Sequence, residues 1–194
     1  NMALQMDWIY LNHIQETACV IQDDIVEILA SIDGPNMTWN PGGCQIEAGL
    51  ESENNRLLVA RTTLIILNKD ETIALTNKNN LDDAMKTLLE IGAKNVCITD
   101  GGNGATASDG NKKYHCPIIK SNDVVDTTGA GDAFGTGMTW ALLNGLDLPK
   151  SLSAGTINAA NVVAHTGAQA GLLTDIDIQN KLKETNIDVE ELSP

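Results

Sequence analysis

The sequence predicts an α/β fold in three layers, a mainly parallel sheet with helices on both faces. Three observations carry this. Strand-length and helix-length patterns alternate as strand, helix, strand, helix, strand, helix, strand, hairpin and then helices. The run Thr63-Leu64-Ile65-Ile66-Leu67 is continuously apolar after its first residue and sits between helical patterns, as expected of a strand buried on both faces. The stretch Asp126 to Gly137 leads from a polar, glycine-rich turn into apolar residues at helical spacing (Phe134, Met138, Ala141, Leu142). With 194 residues, 42% of them apolar, and no repeat or linker, residues 1–194 read as a single domain with a sizeable core.

In chain order, Asp7 to Leu11 reads as a strand, and Glu16 to Ala30 as an amphipathic helix with Ala18, Ile21, Ile25, Ile28 and Leu29 on one side. Met37 to Trp39 is a short strand that ends in the turn Asn40-Pro41-Gly42-Gly43. A helix follows from Leu50 to Ala60, then the strand Thr63 to Leu67. At that strand's carboxyl end, where open α/β sheets bind ligands, stands Asn68-Lys69-Asp70-Glu71. Asn68 there also reads as a helix cap followed by acidic first-turn residues.

Leu81 to Ile91 is a helix closed by Gly92, and Asn95 to Thr99 is the next strand. Thr99-Asp100-Gly101-Gly102-Asn103-Gly104 is a glycine-rich turn, by itself a common connection. Asp109-Gly110 turns a hairpin between Ala105 to Ala107 and Lys113 to Cys116. Asn144-Gly145 stops the central helix. A long helix from Leu148 then runs through Asn158, Asn161 and Val163 to the glycine-punctuated loop His165 to Gly171. Asp175 opens a last helix, and Asp188 to Glu191 is an acidic, loose tail.

The stretch Gly129 to Asp132 is the first turn of the central helix. Its small residues leave the backbone N–H groups of Ala130, Gly131 and Asp132 open to an anion, and the helix dipole adds positive charge there. Asp132 is a carboxylate in that seat. It can accept a proton from a hydroxyl while the amides hold charge on a transferred phosphoryl group, or it can simply favour the helix start.

Composition narrows the classes. A formal charge of −14 and only six aromatics argue against a nucleic-acid partner, so a phosphate ligand must be held by backbone donors, a few cations and a metal ion. Cys19, Cys44, Cys97 and Cys116 are widely spaced without a CxxC pair and read as buried thiols of a reducing compartment. No run approaches a membrane span and no secretory signal is visible, which predicts a cytoplasmic protein without a membrane partner. His165 reads as packed or solvated, and no His or Cys pattern suggests zinc.

The run Asp126-Thr127-Thr128-Gly129-Ala130-Gly131-Asp132 resembles the C-terminal signature of the ribokinase-like (PfkB) carbohydrate kinases, and the order of the other segments agrees. The resemblance implies the ribokinase-like three-layer α/β/α fold, with Asp132 as catalytic base and Gly129, Ala130 and Gly131 in an anion hole. It implies that Asn68 and Glu71 organise Mg²⁺-bound phosphates, and that Thr99, Gly101, Gly102 and Gly104 contact the phosphates of ATP. Thr156, or Asn158 beside it, falls where relatives touch adenine. Asp126, Thr128 and the loop carbonyls around Gly167 would hold a monovalent cation such as K⁺. Thr136 stands where the family mostly has a smaller residue, and Asp100 where many relatives have an apolar one. The resemblance covers essentially the whole chain, while the family's first glycine-pair signature, most sugar contacts and its β lid have no counterpart here. The implied activity is ATP-dependent phosphorylation of a sugar hydroxyl. A nucleoside kinase of the same superfamily and a truncated, non-catalytic nucleotide-binding module share these motifs. An open sheet edge left by a missing lid predicts a homodimer.

Overall fold

A computed structural model describes residues 6–13, 24–26, 29, 35–120 and 124–193. They fall into two compact units, Asn1–Ile98 with Ser108–Asn111, and Thr99–Ala107 with Lys112–Pro194.

The first unit has strands β1 (Trp8–Leu11), β2 (Asn36–Trp39), β3 (Leu64–Asn68) and β4 (Val96–Thr99), neighbours in that order. β1 pairs parallel with β2, Trp8 opposite Asn36, and β2 parallel with β3, Thr38 opposite Leu64. Leu64, Ile65, Ile66 and Leu67 are all buried, as a strand covered on both faces requires. Around them pack α1 (Cys44–Ala48), α2 (Glu53–Arg61), α3 (Lys69–Thr76) and α4 (Leu81–Ile91). Trp39, Leu58, Val59, Leu88 and Val96 form the centre of this core, each 1% exposed or less. Burying a side chain of that size contributes about 1.5–3 kcal/mol.

Local chemistry sets the boundaries and corrects some of those expected. Helix α2 begins at Glu53 rather than Leu50, because Ser52 caps it by accepting from the Asn55 amide and a short 3-10 turn occupies Gly49–Glu51. The Pro-Gly-Gly turn runs straight into α1, which sequence periodicity did not reveal. α4 spans Leu81–Ile91 as read, with Asn80 as its cap and Gly92 at its end. Of the helix expected from Glu16 to Ala30, residues 24–26 and 29 are helical, and the others lie outside the described residues. The four-thiol reading needs correction. Cys44 is disulfide-bonded and half-buried, whereas Cys97 and Cys116 are free and buried; Cys19 lies outside the described residues.

The second unit contains β5 (Ala105–Ser108), β6 (Lys113–Cys116) and β7 (Glu190–Leu192), with α5 (Ala130–Leu143), α6 (Leu148–Val163) and α7 (Asp175–Glu184). β6 and β7 are antiparallel, Lys113 opposite Leu192 and His115 opposite Glu190. Of the tail Asp188 to Glu191 expected to be loose, Glu190 and Glu191 therefore lie in a strand. Glu191 in it has a basic partner, since Lys112 Nζ lies 2.9 Å from Glu191 Oε2. Helices α5 and α6 meet backbone to backbone. A Cβ at Gly137 would lie 2.8 Å from the Ala154 carbonyl oxygen, and one at Gly155 would lie 2.8 Å from that of Phe134. Trp140 on α5 donates from Nε1 to Asp175 Oδ1 at 2.7 Å, tying α5 to the start of α7. Among the described residues, seven strands with interleaved helices give the predicted α/β class, with β6 and β7 antiparallel. No helix among the described residues is long and apolar enough to cross a membrane.

Candidate functional site

The second unit encloses a cavity of about 360 Å³, within the range that holds small ligands and cofactors. One wall is the turn after β4, with Thr99, Gly101, Gly102 and Gly104. Opposed to it in the lining are Ala130, Gly131 and Phe134 at the start of α5, and Thr156, Ala160 and Val163 on α6. Ile118, Ile119 and Val124, from the segment after β6, complete it.

The glycine-rich turn is held by its own backbone. Asp100 N–H donates to the Gly104 carbonyl at 2.8 Å, Asn103 N–H to Asp100 at 2.9 Å and Gly104 N–H to Gly101 at 3.1 Å. The Asp100 carboxylate accepts from Asn103 Nδ2 at 3.1 Å. Gly104 has φ 88°, and a Cβ there would overlap the carbonyl oxygen of Cys116. Gly101 and Gly102 face open space, so the backbone is accessible to a ligand.

At the other wall, Gly129 caps α5 with φ 79°, and a Cβ there would fall 2.7 Å from Cα and Cβ of Ala168. Only glycine satisfies both conditions. The approach to it is stitched in place: Val125 and Asp126 donate their amides to the Val163 carbonyl at 2.8 and 3.2 Å. Asp126 Oδ1 accepts from the Thr128 amide and Oδ2 from the Gly167 amide, each at 2.9 Å. Hydrogen bonds from Thr128 first, then Gly167, hold the Asp126 carboxyl below the ordinary aspartate range. The three residues proposed around a monovalent cation are thus joined to one another, and they do not line the cavity.

Within the helix start, the expected trio of open amides is smaller. Ala130 N–H donates to the Thr127 carbonyl at 3.2 Å, because the turn leading into the helix closes on itself. The Gly131 amide has no partner among the described residues, and a Cβ at Gly131 would meet nothing within 4 Å. Asp132 follows on the first turn, exposed, one residue beyond the lining pair. Thr136 folds its hydroxyl back onto the carbonyls of Asp132 and Ala133, at 2.9 and 3.0 Å, which accommodates its extra atoms on the helix itself.

Thr156 and Asn158 separate clearly. Thr156 lines the cavity. Asn158 is 3% exposed and braces the unit: Nδ2 donates to the Ala133 carbonyl at 2.7 Å, and Oδ1 accepts from the Leu173 amide at 3.1 Å. It does not line the cavity. In the first unit, Asn68 and Glu71 form a reciprocal capping box at the start of α3, each side chain accepting the other's amide at 2.8 Å. No group of three or more His, Cys, Asp or Glu that could hold a metal ion occurs among the described residues.

The apolar walls escaped sequence reading. Ile118 and Val124 are 40% and 58% exposed, and lie outside every predicted element. Exposed apolar residues beside a polar, glycine-rich motif were the available signal.

Residues 48–175 match the family model described as pfkB family carbohydrate kinase. The chain is 36% identical over 120 residues to an ATP-dependent 6-phosphofructokinase of Thermoanaerobacterium thermosaccharolyticum, covering 62% of this chain and 37% of that protein. It is 30% identical over 132 residues to a nucleoside kinase of Methanocaldococcus jannaschii, covering 67% of this chain and 42% of that protein. A ribokinase of Arabidopsis thaliana, solved with ribose and ATP, shares the fold at a TM-score of 0.76 and 20% identity, over 94% of this chain and 57% of that one. The chain therefore spans less than two thirds of the length of each.

Proposed function

The chain belongs to the pfkB family of carbohydrate kinases, and from that premise we propose that it supplies the nucleotide-binding and catalytic part of an enzyme that phosphorylates a sugar hydroxyl with ATP. The observation that carries the reading is that the bare Gly131 amide and the glycine-rich turn line one cavity with apolar walls. Apolar side chains there suit the flat faces of a base, and backbone donors suit phosphates that a chain of charge −14 could not attract by side chains.

In this reading Ile118, Val124 and Val163 enclose the base and Thr156 addresses its edge. The turn Thr99 to Gly104 holds the phosphate chain. Gly131, at the positive end of α5, stabilises charge on the transferred phosphoryl group, and Gly129 and Ala130 shape the turn that presents it. Asp132 takes the proton from the sugar hydroxyl as its oxygen bonds to phosphorus and the bond to the departing ADP breaks. Mg²⁺ bound with ATP would neutralise phosphate charge, a role for which one or two protein carboxylates are generally enough. The resemblance gives Asn68 and Glu71 a part in organising that ion's phosphates, while within the first unit their side chains accept each other's amides. K⁺ would be held by Asp126, Thr128 and the loop carbonyls around Gly167, since each Asp126 oxygen accepts one amide and keeps a lone pair for a cation.

A thermal-shift titration with MgATP tests the nucleotide part. Ligand at about 100 times its dissociation constant adds about 2.7 kcal/mol of stability, and no shift at millimolar MgATP overturns the reading. Phosphotransfer over a panel of sugars and nucleosides tests the chemistry. A nucleoside acceptor is the second reading, favoured by the likeness to the M. jannaschii nucleoside kinase.

A further inference from the structure

Cys116 ends β6 with no exposed surface, and two cavity-lining segments converge on it. Its carbonyl is the group that forbids a side chain at Gly104. Its Sγ lies 3.2 Å from Oγ1 of Thr156 and 3.6 Å from the carbonyl oxygen of Pro117. Cys116 itself does not line the cavity, but Gly104 and Thr156 both do. Burial pushes its thiol pKa up, so the sulfur keeps its proton at neutral pH.

A thiol has one proton to give. The Pro117 carbonyl can only accept, and with the thiol proton directed there the sulfur accepts from the Thr156 hydroxyl. The hydroxyl proton is then held against the sulfur, and the lone pairs of Oγ1 remain for the cavity. We infer that Cys116 is a positioning residue for the nucleotide cavity: it fixes the Thr156 hydroxyl as an acceptor, which favours a base carrying an exocyclic amine over one carrying an oxo group in its place. This rests on the nucleotide-binding reading above.

The test is the ratio of ATP to ITP affinity, two nucleotides that differ in that group, measured by competition with a fluorescent ATP analogue on the 194-residue chain. The unaltered protein should prefer ATP by about three- to tenfold, the size of one neutral hydrogen bond. Cys116→Val should bring the ratio towards one, while Cys116→Ser, which keeps an acceptor, should retain the preference. On a Thr156→Val background, Cys116→Val should change nothing further, which a merely structural role would not reproduce. Cys116→Ala, which cannot clash, is read in the same way should the valine variant fail to fold. An unchanged ratio in folded Cys116→Val or Cys116→Ala, or an equal loss on the Thr156→Val background, overturns this inference and leaves ATP binding standing. Failure of the unaltered protein to bind either nucleotide removes the functional reading and this inference together.

Discussion

Two helix starts in this chain solve the same problem in opposite ways. At α3, Asn68 and Glu71 accept each other's amides, and the helix end is closed by its own side chains. At α5, Gly129 offers no side chain, the Ala130 amide turns back to Thr127, and Gly131, which lines the cavity, has an amide without a partner among the described residues. Ser52, Asn80, Asp147 and Thr174 cap α2, α4, α6 and α7 as Asn68 caps α3. A cap at Ser, Thr, Asp or Asn contributes about 1 kcal/mol, so leaving α5 uncapped forgoes stability that ordinary sequences collect. An open helix end is thus intelligible where a ligand supplies the missing acceptor.

The sharpest way to break this contrast is Asp132→Ala. Removing the base at the open end should lower turnover by about 10²–10⁴-fold while MgATP still raises the melting temperature. Steady-state phosphotransfer and thermal shift on one preparation check both halves, and wild-type turnover would remove Asp132 from the mechanism. Next comes Gly129→Ala. The left-handed φ and the 2.7 Å approach to Ala168 should together cost about 1–3 kcal/mol, visible as a lower denaturation midpoint. The contrasting Gly131→Ala meets open space and should leave that midpoint nearly unchanged.

At the closed end, Asn68→Ala should cost about 1 kcal/mol of stability through the lost cap. Titrating Mg²⁺ in the phosphotransfer assay then separates cap from site, because a residue that only caps leaves the Mg²⁺ dependence as it was. The smallest effect concerns acid. The Asp126 carboxyl titrates lower in the folded protein than the ordinary value of 3.8, so the contribution it makes is present above that value and is lost as pH falls through the lower folded one. Asp126→Asn should flatten that part of an acid-unfolding curve, and an identical curve would show that the bonds to Thr128 and Gly167 carry no net stability.

Much of the chain was legible in advance. Leu64 to Leu67 reads as a doubly covered strand because four successive apolar residues have no solvated face, and all four are buried. Leu81 to Ile91 announces its end with Gly92, which lies at its C-terminus in the structure. The α1 helix was not legible, since five residues after a Pro-Gly-Gly turn carry too little periodicity. Nor was β7, whose acidic sequence resembles a solvated tail until Lys112 and the β6 edge stand opposite it. The four cysteines could not be sorted by spacing, because disulfide pairing depends on which Cβ atoms meet in space.

By itself the sequence determined the alternation of elements, the glycine at position 129 and the order of the motifs, all consequences of local backbone and burial preferences that read within a few residues. Tertiary structure alone decided which motif residues share a cavity. It set Thr156 on the lining and drew the neighbouring Asn158 into a brace between Ala133 and Leu173. It likewise placed Cys116 against Thr156, forty residues away in the chain. The physical reason is that propensity acts along the chain, whereas a hydrogen bond is claimed by whichever partner the packed fold brings within about 3 Å.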